Sequence, residues 1–105
     1  MLSLLPAHKE LDLNTANLQL EGLIMAVAAM TEALTRKGIL DHHELAAALG
    51  QAEKAVSTHR VYELSDSNRE AVLFPIRVLT LANEASQRGR TFTFAEYAEL
   101  VGKLT

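Results

Sequence analysis

The longest helical pattern in the chain is TANLQLEGLIMAVAAMTEALTRK, residues 15–37. Its large apolar residues recur every three or four positions, which places them on one broad face of an α-helix. A second face carries only small residues, and charge is confined to a narrow line through Glu21 and Glu32. The large residues are Leu20, Leu23, Ile24, Val27, Met30 and Leu34, and the small ones are Gly22, Ala26, Ala29 and Ala33. Because small residues let backbones approach closely, the pattern predicts a helix that packs on both faces.

The residues that follow this pattern predict a turn and a second helix. Gly38 suits the left-handed backbone that ends many helices, and Leu34 with Ile39 then forms the apolar pair of a Schellman stop. Asp41 and Glu44 have the spacing of a capping box, so a second helix is expected to start there. The apolar stripe of this helix is Leu45, Leu49, Ala52 and Val56. The first half of the chain therefore reads as a helical hairpin.

A third helix is expected between Ser67 and about Arg88. Ser67 and Glu70 have the spacing of a second capping box, and the segment that follows is apolar nearly all round. Pro75 lies well inside this segment. Because proline removes a backbone donor and clashes with the preceding turn, the helix is expected to kink or break there.

A fourth helix completes a second hairpin. Gly89 is expected to end the third helix, as Gly38 ends the first. Thr93 and Glu96 form a third capping box, with Phe92 and Tyr97 placed as the hydrophobic staple across it. The pattern predicts a short helix to about residue 103.

Together these patterns predict an all-α fold, a four-helix bundle-like arrangement of two helical hairpins. The composition agrees, with 18 Leu and 16 Ala against nine Val and Ile. The first and third helices are too apolar for the short second and fourth helices to cover, and they are expected to be the buried pair. Residues 1–13 are expected to form an N-terminal arm, lying on this bundle or on a neighbouring subunit, and residues 14–105 a single helical domain.

Composition excludes several classes of protein. The chain has no cysteine, which removes disulfides, cysteine metal sites and thiol catalysis. Its net charge is −3, without the cluster of Lys and Arg that nucleic-acid binding needs, so a transcription regulator is only the second alternative. The longest weakly charged stretch, residues 22–31, is half of the ~20 residues of a membrane span, and the start lacks a basic segment. The chain is expected to be soluble and cytoplasmic.

Arg77 is the main candidate for ligand chemistry, because a guanidinium among apolar residues needs an anionic partner. Glu21 or Glu32 on the first helix is the expected partner. Alternatively, Arg77 anchors a small anionic ligand in a bundle pocket together with His59 and Tyr97, as in a binding protein or small enzyme. Met25 and Met30 with Phe74 and Tyr97 are candidates to line such a cavity, although this pattern is more typical of plain core.

No metal ligand set, cofactor or catalytic group is predicted from the remaining polar residues. His42 and His43 are neighbours on a helix, so their side chains diverge by about 100° and do not share a metal. They are expected to be solvated residues of a helix start. His59 and Glu63, four residues apart, read as a surface pair.

The function that these observations favour is non-catalytic self-association. Two helices that are apolar nearly all round exceed what the short second and fourth helices can cover, so a symmetric homodimer is expected. The residues expected at the interface are Gly22, Ala26, Ala29, Ala33, Phe74, Val78 and Leu81. The sequence therefore predicts a protein–protein interaction module.

Overall fold

The computed structural model describes residues 8–58 and 64–104, with side chains for 15–58 and 64–103. Within these ranges the chain forms four α-helices and no strand. They are α1 (His8–Arg36), α2 (His42–Thr58), α3 (Asp66–Gln87) and α4 (Phe94–Leu104). The predicted all-α, bundle-like arrangement of two hairpins is confirmed.

Helix α1 begins earlier than its apolar periodicity indicates. It starts at His8, so residues 8–13 of the expected arm are helical backbone, while residues 1–7 lie outside the described part of the chain. At 1.5 Å per residue, this 29-residue helix is roughly 43 Å long. Its first described side chains, residues 15–20, are all exposed. The helix therefore projects beyond the part that packs on the bundle.

Both hairpins turn at a glycine with a left-handed backbone, as the sequence predicts. Gly38 has a φ of 79°, and the Ile39 N–H donates to the Leu34 carbonyl at 3.0 Å, the long bond of a Schellman stop. Gly89 has a φ of 73° and ends α3 with the same kind of Schellman stop. Because only glycine adopts this backbone without a Cβ penalty, both turns are locally encoded.

Two of the three predicted capping boxes form. In α2, the Glu44 N–H donates to Asp41 Oδ1 at 2.7 Å, and the Asp41 N–H donates to Glu44 Oε1 at 2.9 Å. In α4, the Thr93 N–H donates to Glu96 Oε1 at 2.8 Å, and the Glu96 N–H donates to Thr93 Oγ1 at 3.2 Å. These reciprocal bonds fix where the second helix of each hairpin begins.

The expected cap of α3 at Ser67 is wrong. The helix starts two positions earlier, and Ser65 is its N-cap, its hydroxyl accepting from the Asn68 N–H at 3.2 Å. Ser65 and Ser67 both have a suitable polar residue three positions on, so local spacing does not separate them. Glu70, the expected capping partner of Ser67, instead pairs with Arg77.

Helix α3 runs without interruption through Pro75, which excludes the break that the sequence left open. It is the central element of the fold, since it contacts each of the other three helices. The buried cluster consists of Ile24, Val78, Ala85, Tyr97 and Val101. The expectation that α1 and α3 form the buried pair is therefore half wrong, because Ile24 is the one described residue of α1 in this core.

Candidate functional site

The side of α1 that points away from Ile24 is an apolar surface that the described chain leaves open. Its centre is the line of small residues that the sequence predicts to pack, of which Gly22, Ala26 and Ala29 are exposed and Ala33 is half-buried. Three large side chains flank this line, Leu18, Leu23 and Met30, with exposed fractions of 65%, 62% and 64%. We call these seven residues the outer face of α1.

This exposure has a substantial energetic consequence. Fully burying a Leu or Met side chain stabilises a protein by about 1.5–3 kcal/mol, and the three flanking residues forgo more than half of that. Scattered apolar residues are normal on a protein surface, whereas a continuous apolar stripe along one helix usually marks a contact with another molecule. The outer face therefore has the character of an interface.

Gly22 is not explained by packing within the described part of the chain. A Cβ placed on it meets no atom within 4 Å. A glycine inside a helix destabilises it by roughly 0.5–1 kcal/mol relative to alanine. Gly50 in α2 is equally unobstructed, but it stands beside Gln51 and Lys54, whereas Gly22 lies in an apolar face. The glycine thus keeps the centre of the outer face flat at some cost to α1.

The charged side chains that the structure describes on α1 lie along one edge of the outer face. At about 100° per residue, Glu21, Glu32 and Arg36 share one flank, where Leu18 lies in line with Arg36. Leu23 and Met30 lie on the other flank. Arg36 Nη1 is 3.9 Å from Glu32 Oε2, and both side chains are well exposed. The outer face therefore has one charged flank and one apolar flank.

The three α3 residues that the sequence assigns to the interface lie inside the bundle. Val78 is 1% exposed, and Phe74 and Leu81 pack against the same core. Phe74 meets Phe94 edge to face with ring centroids 6.1 Å apart. Of the residues assigned to an interface, those on α1 are the ones that the fold leaves accessible.

Helix α1 also has the length and composition of a membrane-crossing helix. The segment Thr15–Arg36 meets both criteria, and almost none of it is buried in the described structure. The weakly charged stretch at residues 22–31 underestimates the length of this apolar segment, because the helical turns on either side of it are also apolar. The same properties occur in signal sequences and in soluble helices, so length and composition are weak evidence for a membrane span.

Arg77 is paired within the chain, but not with the expected residues. Its Nη1 lies 2.6 Å from Glu70 Oε1, and its Nε lies 3.5 Å from Glu53 Oε2 on α2. The expectation of Glu21 or Glu32 is wrong, because Arg77 points toward α2 rather than α1. Two carboxylates already balance this guanidinium, so it is not an open anchor for an anion.

The other two residues of the expected ligand site are His59 and Tyr97. His59 lies outside the described residues, as does Glu63. Tyr97 is buried against Phe92 with ring centroids 5.6 Å apart, and its hydroxyl accepts from the Phe92 N–H at 3.3 Å. The tyrosine thus completes the staple of α4.

A small cleft separates α1 from the end of α3. Its volume is about 120 Å³, and Met25, Glu32, Asn83 and Tyr97 are among its lining residues. Pockets for metabolites and cofactors usually measure ~300–1,000 Å³. This cleft therefore suits ordered water better than a cofactor.

Asn83 is the polar residue that sequence reasoning missed. It is 6% exposed, its Nδ2 donates to the His42 carbonyl at 2.9 Å, and its Oδ1 has no partner among the described residues. His42 Nε2 also lies 3.2 Å from Ser86 Oγ, so the expectation of a solvated residue holds for His43 but not for His42. The signal available in the sequence was an asparagine inside an otherwise apolar helix, where a buried amide needs a hydrogen-bond partner. Its role is to attach the start of α2 to α3.

Within the described ranges, no three His, Cys, Asp or Glu side chains converge as metal ligands do. The feature of the described chain that stands out is therefore the outer face of α1. Comparison of the chain with family models, curated proteins and solved structures finds no significant match.

Proposed function

We propose that this protein is a self-associating helical module that forms a symmetric homodimer through the outer face of α1. The observation that carries the proposal is the continuous apolar exposure of this face in a chain that is otherwise folded around α3. Small residues at the centre and large ones on the edges are the arrangement that lets two helices approach closely and interlock.

Charge supports a second copy over a nucleic acid as the partner. The chain has a net charge of −3, and the described outer face is bordered by Glu21 and Glu32 as well as Arg36. Phosphate contacts need a surplus of Lys and Arg on the binding surface. A mixed flank is instead compatible with an identical surface, where each acidic residue can meet a basic one.

Charge also favours a second copy over lipid. In a membrane-spanning α1, Glu21 and Glu32 would enter the hydrocarbon layer, at roughly 2.5–3.5 kcal/mol for a carboxylate near its centre. Helix α1 also packs on α3 through Ile24, which is 3% exposed. Insertion of α1 would therefore require giving up part of the described core.

The alternative of an anionic-ligand binder or small enzyme loses its main support in this arrangement. Arg77 is held by Glu70 and Glu53, and the described cleft beside Tyr97 is small. A ligand that bound Arg77 would have to displace two carboxylates. Self-association needs no such rearrangement.

A charge placed in the outer face tests the proposal. Met30→Glu changes a side chain that is 64% exposed, so the single chain should fold normally. We expect the wild type to dimerise as its concentration rises to about 100 μM, and Met30→Glu to remain monomeric because a carboxylate would be buried between apolar surfaces. Sedimentation velocity measures the association, and circular dichroism checks the helix content.

Ala47→Glu is the matched control, because Ala47 is exposed on α2, away from the outer face. It adds the same carboxylate and should dimerise like the wild type. A monomeric wild type at the highest concentration contradicts the proposal. Co-sedimentation of that monomer with phosphatidylcholine vesicles would identify lipid as the occupant of the face.

A further inference from the structure

We infer that the two copies of α1 pair antiparallel, centred near residue 28, with Glu21 of each copy facing Arg36 of the partner subunit. This inference rests on the proposed self-association and adds its geometry. It follows from the unequal flanks of the outer face and from the symmetry of a pair of identical helices.

The two possible symmetric pairings bring different flanks together. A twofold axis perpendicular to the helices makes them antiparallel, and it places each flank against the same flank of the partner subunit. A twofold axis along the helices makes them parallel, and it places each flank against the opposite one. A helix with two different flanks therefore distinguishes these arrangements.

The flanks of α1 favour the antiparallel pairing. In that pairing the flank with Leu23 and Met30 meets its own copy, and apolar surface is buried against apolar surface. In a parallel pairing, Glu21 and Glu32 would be pressed against the leucine and methionine side chains of the partner subunit. Burying a carboxylate without a cationic partner costs far more than an exposed ion pair contributes, so this mismatch decides the orientation.

The register follows from two features of α1. The small-residue line is symmetric about a point between Ala26 and Ala29, so antiparallel pairing sets Gly22 against Ala33 and Ala26 against Ala29 of the partner subunit. With the centre near residue 28, Glu21 lies about one residue, roughly 1.5 Å along the axis, from the level of Arg36 of the partner subunit, and about three residues from the level of Glu32 of the partner subunit. Close packing and charge pairing thus place the centre at points within about one residue of each other, on either side of residue 28.

Disulfide crosslinking tests this geometry cleanly, because the chain has no cysteine. Gln19 and Lys37 are exposed, polar and about five helical turns apart, on one line between those of Ala26 and Met30 and at opposite ends of the outer face. In the inferred register each faces the other across the interface, while the two copies of Gln19 are roughly 27 Å apart along the axis. A disulfide needs Cα atoms within about 7 Å.

The experiment oxidises Gln19→Cys and Lys37→Cys variants, each alone and mixed, with one variant carrying a size tag. We expect a crosslinked species only in the mixture, with one copy of each variant. Efficient crosslinking of Gln19→Cys to itself would show a parallel pair and overturn the inference.

Charge exchange gives a second readout. Glu21→Arg and Arg36→Glu should each weaken the dimer, and the double variant should recover much of the lost affinity because the pairs are restored with reversed sign. A double variant that dimerises no better than the single variants contradicts the register.

Sedimentation of the same proteins distinguishes the two proposals. A dimer with the wrong crosslinks refutes only the geometry, whereas a monomer refutes the proposed function.

Discussion

At the scale of single residues, the start of α4 shows how one hydroxyl defines a helix end. Thr93 Oγ1 accepts from the Glu96 N–H at 3.2 Å, and Glu96 bonds back to the Thr93 N–H. Thr93→Ala removes that acceptor and should cost about 1 kcal/mol of folding free energy. For a domain of this size the loss corresponds to a fall in Tm of about 4–8 °C. Thermal unfolding followed by circular dichroism measures it.

Thr91→Ala is the control for this substitution. Thr91 is an exposed loop residue two positions before the cap. Its replacement removes the same hydroxyl and should change the free energy of unfolding by less than about 0.5 kcal/mol. Equal effects of the two variants would show that the loss at Thr93 does not arise from capping.

Residue-scale features of this fold divide into those encoded locally and those encoded by packing. The Asp41–Glu44 cap and the Gly38 turn depend on neighbours within a few positions, and both were predictable from spacing. The partners of Arg77 were not, because one of them, Glu53, lies on another helix. Spacing alone cannot rank Glu53 above Glu32 before the relative positions of α1, α2 and α3 are known.

At the scale of elements, the Arg77–Glu53 pair joins α3 to α2. The two side chains are 23% and 39% exposed, so the attraction is partly screened by solvent. A double-mutant cycle with Arg77→Met and Glu53→Gln should give a coupling of about 0.2–1 kcal/mol. The coupling should shrink in 1 M salt, where the screening length is about 3 Å. Urea unfolding of the four proteins measures it.

A parallel cycle between Arg77 and Glu32 is the control. Glu32 is one of the two partners expected from the sequence, and it pairs with Arg36 on its own helix. That cycle should show no coupling within about 0.3–0.5 kcal/mol. A coupling to Glu32 as large as that to Glu53 would contradict the described packing of α1, α2 and α3.

The elements also show where periodicity is informative and where it fails. The two faces of α1 could be predicted because the spacing of their residues follows the helical repeat. Which face packs on the bundle depends on how α1 fits against the other helices, and periodicity does not give that. The structure turns Ile24 inward and leaves Leu23 and Met30 outside, although all three share the broad apolar face. Helix α3, with its apolar surface distributed all round, takes the central position and contacts every other helix.

At the scale of the whole molecule, self-association should make stability depend on protein concentration. A partner that binds only the folded chain raises its apparent stability by mass action. The Tm of the wild type should therefore rise between about 1 and 100 μM. A protein that stays monomeric should show no such change in Tm, because its unfolding equilibrium is independent of protein concentration.

Ala29→Leu tests whether the outer face of α1 is the origin of that dependence. Ala29 is exposed in the single chain, so a leucine there should leave the Tm at about 1 μM nearly unchanged. In the proposed dimer, Ala29 would lie at the close approach of the two helices, and overpacking there should cost about 1–3 kcal/mol, or roughly 5–150-fold in Kd. The Tm of this variant should therefore change little as protein concentration rises.

Ala47→Leu is the control, because it makes the same exchange on the exposed side of α2. The Tm of this variant should rise with concentration as the Tm of the wild type does. If Ala29→Leu steepens the slope instead, the outer face tolerates bulk and the close approach of two α1 helices is wrong.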